Sequence, residues 1–332
     1  GLVSAVSSLF SYLVVRGDAG VSVNPVPPGP LRHATRIKYA RTVVTELTYG
    51  PLLVRELRRA DVVHVFSASY TSFLLAPLPA IAVARLLGKP VLLNYRSGEA
   101  PDHLARSTVA RRVIGGVDRN VVPSRFLAEV FGGYGIDSVI IPNVVDLARF
   151  AYRPRTPLRP RLLSTRNLEP LYNVSCTLRA FRLVLDRYPD ATLTLVGAGS
   201  DAPALQALAQ ALGLTGVTFA GRVAPGDIAA AYAAHDIYVQ TPNIDNMPTS
   251  VLEAYASGLP VVTTNAGGIP VICRHGIDGL LAEVNDHQSI AAHVLTLLDT
   301  PAAALSLTET ARRTCEAYSW SALRPQWLAV YR

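Results

Sequence analysis

The chain predicts an α/β protein built from two doubly wound domains, each with its own parallel sheet. Two observations carry this. Short β-branched runs alternate with helical stretches, and that order with short links means parallel strands covered on both faces. The length of 332 residues, half of them hydrophobic, exceeds a domain of roughly 150 residues, so each half can bury a core.

Taken in order, residues 1–15 read as an amphipathic helix and 20–24 as a short strand. A doubly wound domain opens with a strand, then a glycine turn, then a helix. This chain starts at the turn, without Met, so the first strand of the domain is expected to be missing. A Pro/Gly-rich link, 25–30, leads to a basic helix over 36–59 with apolar residues at helical spacing. Strands follow at 61–66 and 90–95, around a helix at 70–87. Strand 117–122, helix 123–131 and a last strand near 138–146 complete the half.

The stretch 151–161 is rich in Pro and Arg, which suits a boundary. The alternation then repeats: strand 161–165, helix 174–187, strand 191–196, helix 202–212, strand 217–220, helix 226–234 and strand 237–240. The expected domains are 1–147 and 148–315, followed by a terminal helix over 316–332. Trp320 and Trp327 are read there as packing anchors.

Charge is uneven. Residues 1–150 hold 17 Lys and Arg against 10 Asp and Glu, while 151–332 hold 14 of each, so the formal net charge of +7 lies wholly in the first half. It reads either as an Arg-heavy solvated surface or as attraction to an anionic lipid or lipid-phosphate acceptor. No apolar run reaches the roughly 20 residues of a membrane span. No basic segment precedes an apolar one at the start, so no signal peptide is expected. Three scattered cysteines, Cys176, Cys273 and Cys315, suit a reducing compartment and no metal site. No zinc, helix-turn-helix or RNA-binding pattern is present, so no nucleic-acid partner is expected.

The most informative stretch runs from Asn243 to Thr264, read as a polar loop, a helix, a tight turn and a buried strand. Pro248 suits a first helical position, with Asn246 or Met247 at the cap and Thr249 and Ser250 in the first turn. Gly258 is placed to end the helix, and Pro260-Val-Val-Thr-Thr reads as a strand. Free N–H groups at the helix start favour an anion. Asp245 and Glu253 could both face a ligand rich in hydroxyls, because ionised carboxylates only accept.

With these residues the chain resembles retaining nucleotide-sugar glycosyltransferases of family 4, the glycosyl transferases group 1. These have the GT-B fold, two Rossmann-like domains facing a cleft. The family signature is an acid, seven intervening residues, Glu, then Gly-x-Pro-Val-Val. Asp245, Glu253 and Gly258-Leu-Pro-Val-Val match it, with Asp245 one methylene shorter than the usual Glu. Asn265-Ala-Gly-Gly-Ile-Pro and His275-Gly-Ile-Asp-Gly-Leu-Leu match as well, and the terminal Ser319-Trp region resembles the family's returning helix.

The resemblance implies roles. Asp245 would accept from donor-sugar hydroxyls and Glu253 from the ribose. Asn246, Met247, Pro248, Thr249 and Ser250 would line the sugar and diphosphate, and Pro248 itself can offer no N–H. Arg166, in Ser-Thr-Arg-Asn-Leu, would neutralise the leaving diphosphate. The family's following Lys-Gly is absent, the segment reading Glu169-Pro-Leu-Tyr-Asn173. Gly197 and Gly199 either line the nucleotide or allow close packing, and Arg222 would lie beside the base. His103 is read either as a donor-sugar contact or as an exposed helix-start residue. Glu99 and Gly1 would face the acceptor, and His64 is a core residue. Asn173-Val-Ser also fits a glycosylation pattern, taken as chance.

The implied reaction moves a sugar from a nucleoside-diphosphate sugar, a co-substrate, to a polysaccharide or glycolipid, with retention. No metal or other cofactor is expected, and domain closure would assemble the site. The expected setting is bacterial and cytoplasmic, with peripheral contact at the inner membrane face. Two alternatives stay open: a sugar-nucleotide epimerase, and a sugar-nucleotide-binding protein without turnover.

Overall fold

The computed structural model describes residues 51, 53–67 and 69–332. The helix expected at 1–15, the strand at 20–24, most of the basic helix and Gly1 lie outside the described residues. The chain divides into two compact units. One comprises residues up to Ile141 together with Gln326–Arg332, and the other Pro142–Pro325.

In the first unit four parallel strands lie in chain order: β1 (Val63–Ser67), β2 (Val91–Tyr95), β3 (Arg119–Val122) and β4 (Val139–Ile140). Every residue of β2 is buried, as expected of a strand paired on both edges and covered on both faces. Helices α1 (Tyr70–Leu75), α2 (Pro77–Leu86), α3 (Ala100–Arg106), α4 (Thr108–Gly115) and α5 (Arg125–Gly132) connect them. The single helix expected over 70–87 is corrected to two. Ala76, at φ −127° and ψ −60°, leaves helical geometry because Pro77 crowds the residue before it. Ser107 and Ser124 cap α4 and α5, accepting from Ala110 N at 3.1 Å and Leu127 N at 3.2 Å, which satisfies one orphan donor in each.

The last helix, α13 (Trp320–Tyr331), contains Pro325, and the unit division falls there. Trp327 is fully buried in the first unit. Its ring stacks 5.5 Å from His64, and Tyr331 Oη lies 2.5 Å from His64 Nδ1. Burial, reinforced by Arg96, pushes His64 down to about 3, so it stays neutral.

The second unit is a six-stranded parallel sheet of β5 (Arg161–Ser164), β6 (Thr192–Val196), β7 (Val217–Gly221), β8 (Ile237–Val239), β9 (Val261–Thr264) and β10 (Leu280–Ala282). Their order is β10-β9-β8-β5-β6-β7. Helices α6 (Val174–Arg187), α7 (Ala202–Ala211), α8 (Ile228–Ala234), α9 (Thr249–Ser257), α10 (Ile269–Ile272), α11 (His287–Asp299) and α12 (Pro301–Glu316) alternate with the strands. Leu178, Phe181 and Val184 of α6 pack with Leu193 and Leu195 of β6 and with Val294 and Leu297 of α11.

The Pro/Arg-rich stretch is not a loose tether. Arg155 is buried. It donates from Nε to His235 O at 3.2 Å, from Nη2 to Tyr232 O at 2.8 Å, and from Nη1 to Arg153 O and Ser257 O. Tyr232 and His235 lie at the end of α8, and Ser257 is the last residue of α9. One guanidinium therefore covers the carbonyl ends of two helices, where a cation is favoured. Burial lowers it to about 10, so it remains charged.

The strand order sets the site. From β5 the chain moves outward to β6 and β7, then returns to β8 on the other side of β5. In open α/β sheets ligands bind beyond the carboxyl ends of the strands at such a reversal. Arg166 follows β5, and Asp245 follows β8. Among the described residues no single helix is long and apolar enough to cross a membrane.

Candidate functional site

Arg166 and Asp245 meet at the reversal. Arg166 Nη2 pairs with Asp245 Oδ2, and the two side chains are only 11% and 15% exposed. Arg166 Nη1 donates to Ser250 Oγ at 3.2 Å. Its Cζ sits 4.1 Å from the centroid of the Tyr172 ring, inside the roughly 6 Å range of cation–π attraction. Arg166 Nε is buried and has no hydrogen-bond partner among the described residues. Burial alone would lower the Arg166 pKa. Asp245 and the tyrosines at 172, 238 and 232 outweigh it, so the net shift is upward.

Asp245 is held by its own loop. Its Oδ1 accepts from Asn246 N at 2.8 Å, and its carbonyl accepts from Gly268 N at 2.9 Å. Gly267 has φ +56°, and a Cβ there would come within 2.2 Å of Asp245 O. Only glycine permits both that backbone and that approach. Asn246 and Met247 are buried. Met247 is engaged by Asn143, whose Nδ2 donates to its carbonyl at 2.6 Å.

The start of α9 differs from expectation. Pro248 is not the first helical residue but the one before it, at φ −65° and ψ 118°. That extended ψ leaves Thr249 as the first helical position. No side chain caps this end, so the first-turn N–H groups of Thr249 and Ser250 are the ones a helix leaves without partners of its own. Gly258 ends the helix with φ 77°, as expected of a left-handed cap.

Glu253 lies on α9, one turn past Ser250. Tyr232 Oη donates to its Oε2 at 2.8 Å. Burial pushes the Glu253 carboxyl up to about 7, against the opposing pull of Tyr232, Arg149 and Arg166. Burial also raises the Tyr232 phenol well above its ordinary value, so it remains the donor. The network continues through Thr165 Oγ1, 2.7 Å from Tyr232 Oη, and through Gln240 Oε1, which accepts from Ser250 Oγ at 3.1 Å and Tyr238 Oη at 3.2 Å.

Gly197 and Gly199 press against the loop carrying Arg166. A Cβ at Gly197 would fall 2.2 Å from Arg166 O, and one at Gly199 2.1 Å from Leu168 O. Close approach therefore accounts for both glycines. Arg222 follows β7, the edge strand of the sheet, and is exposed.

The remaining predicted residues belong to the first unit. The reading of His103 as an exposed helix-start residue is corrected: it is 2% exposed. Its Nδ1 lies 2.8 Å from Tyr95 Oη, and the rings of Tyr70 and Phe73 are within 5.4 Å and 5.3 Å. Apolar ring faces desolvate it, so burial lowers its pKa, with Asp102 opposing. Glu99 precedes α3, and its backbone N–H donates to Ser97 Oγ at 3.3 Å. The discounted pattern at Asn173 has a local use: Asn173 Oδ1 accepts from Ser175 Oγ at 2.8 Å.

Sequence reasoning missed Tyr172, Tyr232, Thr165 and Gln240. Tyr232 sits in an alanine-rich helix and Gln240 at a strand end, with no spacing to mark them. Only Tyr172, six residues past Arg166, carried a signal, as the aromatic residue in a segment already noted for lacking a cation.

Two units with parallel sheets, the second with a cationic and hydroxyl-rich constellation at its strand reversal, make an α/β protein of GT-B type. Residues 11–149 match the model of Glycosyltransferase Family 4, and residues 153–314 match that of Glycosyl transferases group 1. The chain belongs to this family. The sulfoquinovosyl transferase SQD2 of Arabidopsis thaliana is 27% identical over 86% of this chain and 59% of its own length. A phosphatidyl-myo-inositol mannosyltransferase of Mycolicibacterium smegmatis is 26% identical over 87% of this chain and 76% of its own. The chain spans about three fifths of the length of several curated relatives it matches. Among solved structures, Anabaena HepE in complex with UDP and glucose aligns with a TM-score of 0.74 at 18% identity, over 86% of this chain and 81% of that one.

Proposed function

We propose that the protein is a glycosyltransferase that moves a sugar from a nucleoside-diphosphate sugar to a carbohydrate or lipid-linked acceptor, with retention at the anomeric carbon. The observation that carries this is the meeting of Arg166, Asp245 and Ser250 at the reversal of the second sheet, beside the uncapped start of α9. As the sugar's anomeric C–O bond to the diphosphate breaks, its electron pair passes to the diphosphate, the acceptor hydroxyl oxygen forms the new bond to the anomeric carbon, and the hydroxyl proton passes to the leaving diphosphate. Arg166 and the free N–H groups of Thr249 and Ser250 offset that charge. Asp245 accepts from the sugar hydroxyls, and Glu253 accepts from the ribose. Arg166 and Asp245 neutralise each other in their ion pair, and a donor replaces that pairing at both ends. The family membership supports the reaction class, and the similarity to a phosphatidyl-myo-inositol mannosyltransferase supports a lipid-linked acceptor. A cytoplasmic enzyme working at a membrane face would fit such an acceptor.

Incubation with UDP-, GDP- and ADP-sugars tests the reading, with thermal stabilisation and free nucleotide measured together. Stabilisation by one nucleotide sugar with nucleotide release supports transfer. Stabilisation without release, in the presence of candidate acceptors, would favour a binding protein. Absence of binding to all three nucleotides would remove both transfer and epimerisation.

A further inference from the structure

The geometry points to Tyr172 as a positioning residue that holds the Arg166 guanidinium in the orientation in which it meets a diphosphate. This rests on the role given to Arg166 above. The segment 169–173 carries no Lys or Arg, so the orientation of Arg166 matters more there than if a second cation shared the work.

The three contacts at the Arg166 head group do not share one fate when a ligand arrives. Nη2 pairs with Asp245 and Nη1 with Ser250, and both Nη groups are what a diphosphate would claim. Nε is buried without a partner among the described residues. The Tyr172 face, 4.1 Å from Cζ, is the contact that persists, because stacking uses the guanidinium's π surface and leaves its in-plane N–H groups free. An arginine left without that face would lose orientation, since its side chain has about 2 kcal/mol of rotamer entropy to recover.

The ring is itself fixed. Pro170–Tyr172 forms a 3₁₀ turn, followed by Asn173 in the left-handed region at φ 45°. The Asn173 side chain donates to Asn243 Oδ1 at 2.9 Å and to Asn285 Oδ1 at 2.7 Å. Asn243 returns a backbone bond to Leu171 O at 2.9 Å. On the other side, Glu169 accepts from Ser200 N at 3.1 Å and Ser200 Oγ at 2.5 Å. The turn that carries Tyr172 is therefore clasped to the loops after β6, β8 and β10, and the loop after β8 also carries Asp245.

The experiment is calorimetric titration of UDP and UMP into the wild type, Tyr172→Phe, Tyr172→Leu and Arg166→Lys, with GDP and ADP taken in turn if UDP does not bind. Tyr172→Phe keeps UDP affinity within about twofold. Tyr172→Leu weakens UDP by about tenfold, which corresponds to about 1.4 kcal/mol, and changes UMP by less than twofold. The Arg166 Nε–H proton resonance carries a ring-current shift in the wild type and in Tyr172→Phe, and loses it in Tyr172→Leu. Should Tyr172→Leu not fold, Tyr172→Gln carries the same expectations. Wild-type UDP affinity in Tyr172→Leu, or an equal loss for UMP, overturns the role of the ring. If Arg166→Lys loses UDP while Tyr172→Leu does not, Tyr172 alone is misassigned. If Arg166→Lys also keeps wild-type affinity, or if the wild type binds none of UDP, GDP and ADP, the reading of Arg166 fails with it.

Discussion

Glu253 is a buried carboxyl whose pKa is raised from 4.5 to about 7, with desolvation as the main cause. Replacing it with Gln keeps an oxygen to accept from Tyr232 while removing the charge that burial penalises. The wild-type unfolded chain ionises above about 4.5, whereas the folded chain holds the proton up to about 7. Wild-type stability associated with this group is therefore full below 4.5 and is lost as pH rises to 7. At about 1.4 kcal/mol per unit, the cost above pH 7 is on the order of 3 kcal/mol. The Gln variant does not titrate, but its NH₂ group enters a site where Tyr232 is the one hydrogen-bond partner of this side chain among the described residues, at a cost of about 1–2 kcal/mol. Glu253→Gln should thus be more stable than the wild type by about 1–2 kcal/mol at pH 8 and should lose that advantage at pH 5. Urea unfolding of both proteins at pH 5, 6, 7 and 8 measures the difference. A gap that does not change with pH would refute the placement of a protonatable carboxyl in this core. The companion variant Glu253→Ala should bind its nucleotide at least tenfold more weakly, about 1.4 kcal/mol. Wild-type affinity there would remove the ribose role.

Arg155→Leu removes the guanidinium donor from three carbonyls at two helix ends and from Arg153 O. It should cost about 3 kcal/mol or more, a fall in melting temperature of roughly 6–12 °C for a unit of this size, read by scanning calorimetry; a fall under 2 °C would contradict the capping role. Gly267→Ala drives a Cβ into Asp245 O at a left-handed position. It should destabilise by about 2 kcal/mol and weaken UDP binding by displacing Asp245, and unchanged titration curves would show that the Asp245 loop tolerates displacement.

Much of the second unit was legible because its signals are local. Residues 174–187 form the helix their spacing implies, and Gly258 ends α9 because a left-handed turn needs glycine at low cost. Local signals failed where two restraints competed. Pro248 could have opened α9, but the loop held by Gly267 and Gly268 sets its ψ at 118° and delays the helix by one residue. Residues 70–87 carry a continuous helical pattern, yet Pro77 breaks it at Ala76. His103 looked exposed from its place at a helix start. It is buried because Tyr70, Phe73 and Tyr95 arrive from two other elements.

By itself the sequence determined the alternating α/β architecture and the family signature from Asp245 to the strand after Gly258. Each of these is written in neighbouring residues, through side-chain period, turn chemistry or motif spacing. Only the tertiary structure decided that Arg166 and Asp245, 79 residues apart, share one ion pair, that Tyr172 lies under that arginine, and that Tyr232 reaches Glu253. Those contacts come from the strand order β8-β5-β6, because adjacency in a sheet follows from how the chain winds back on itself.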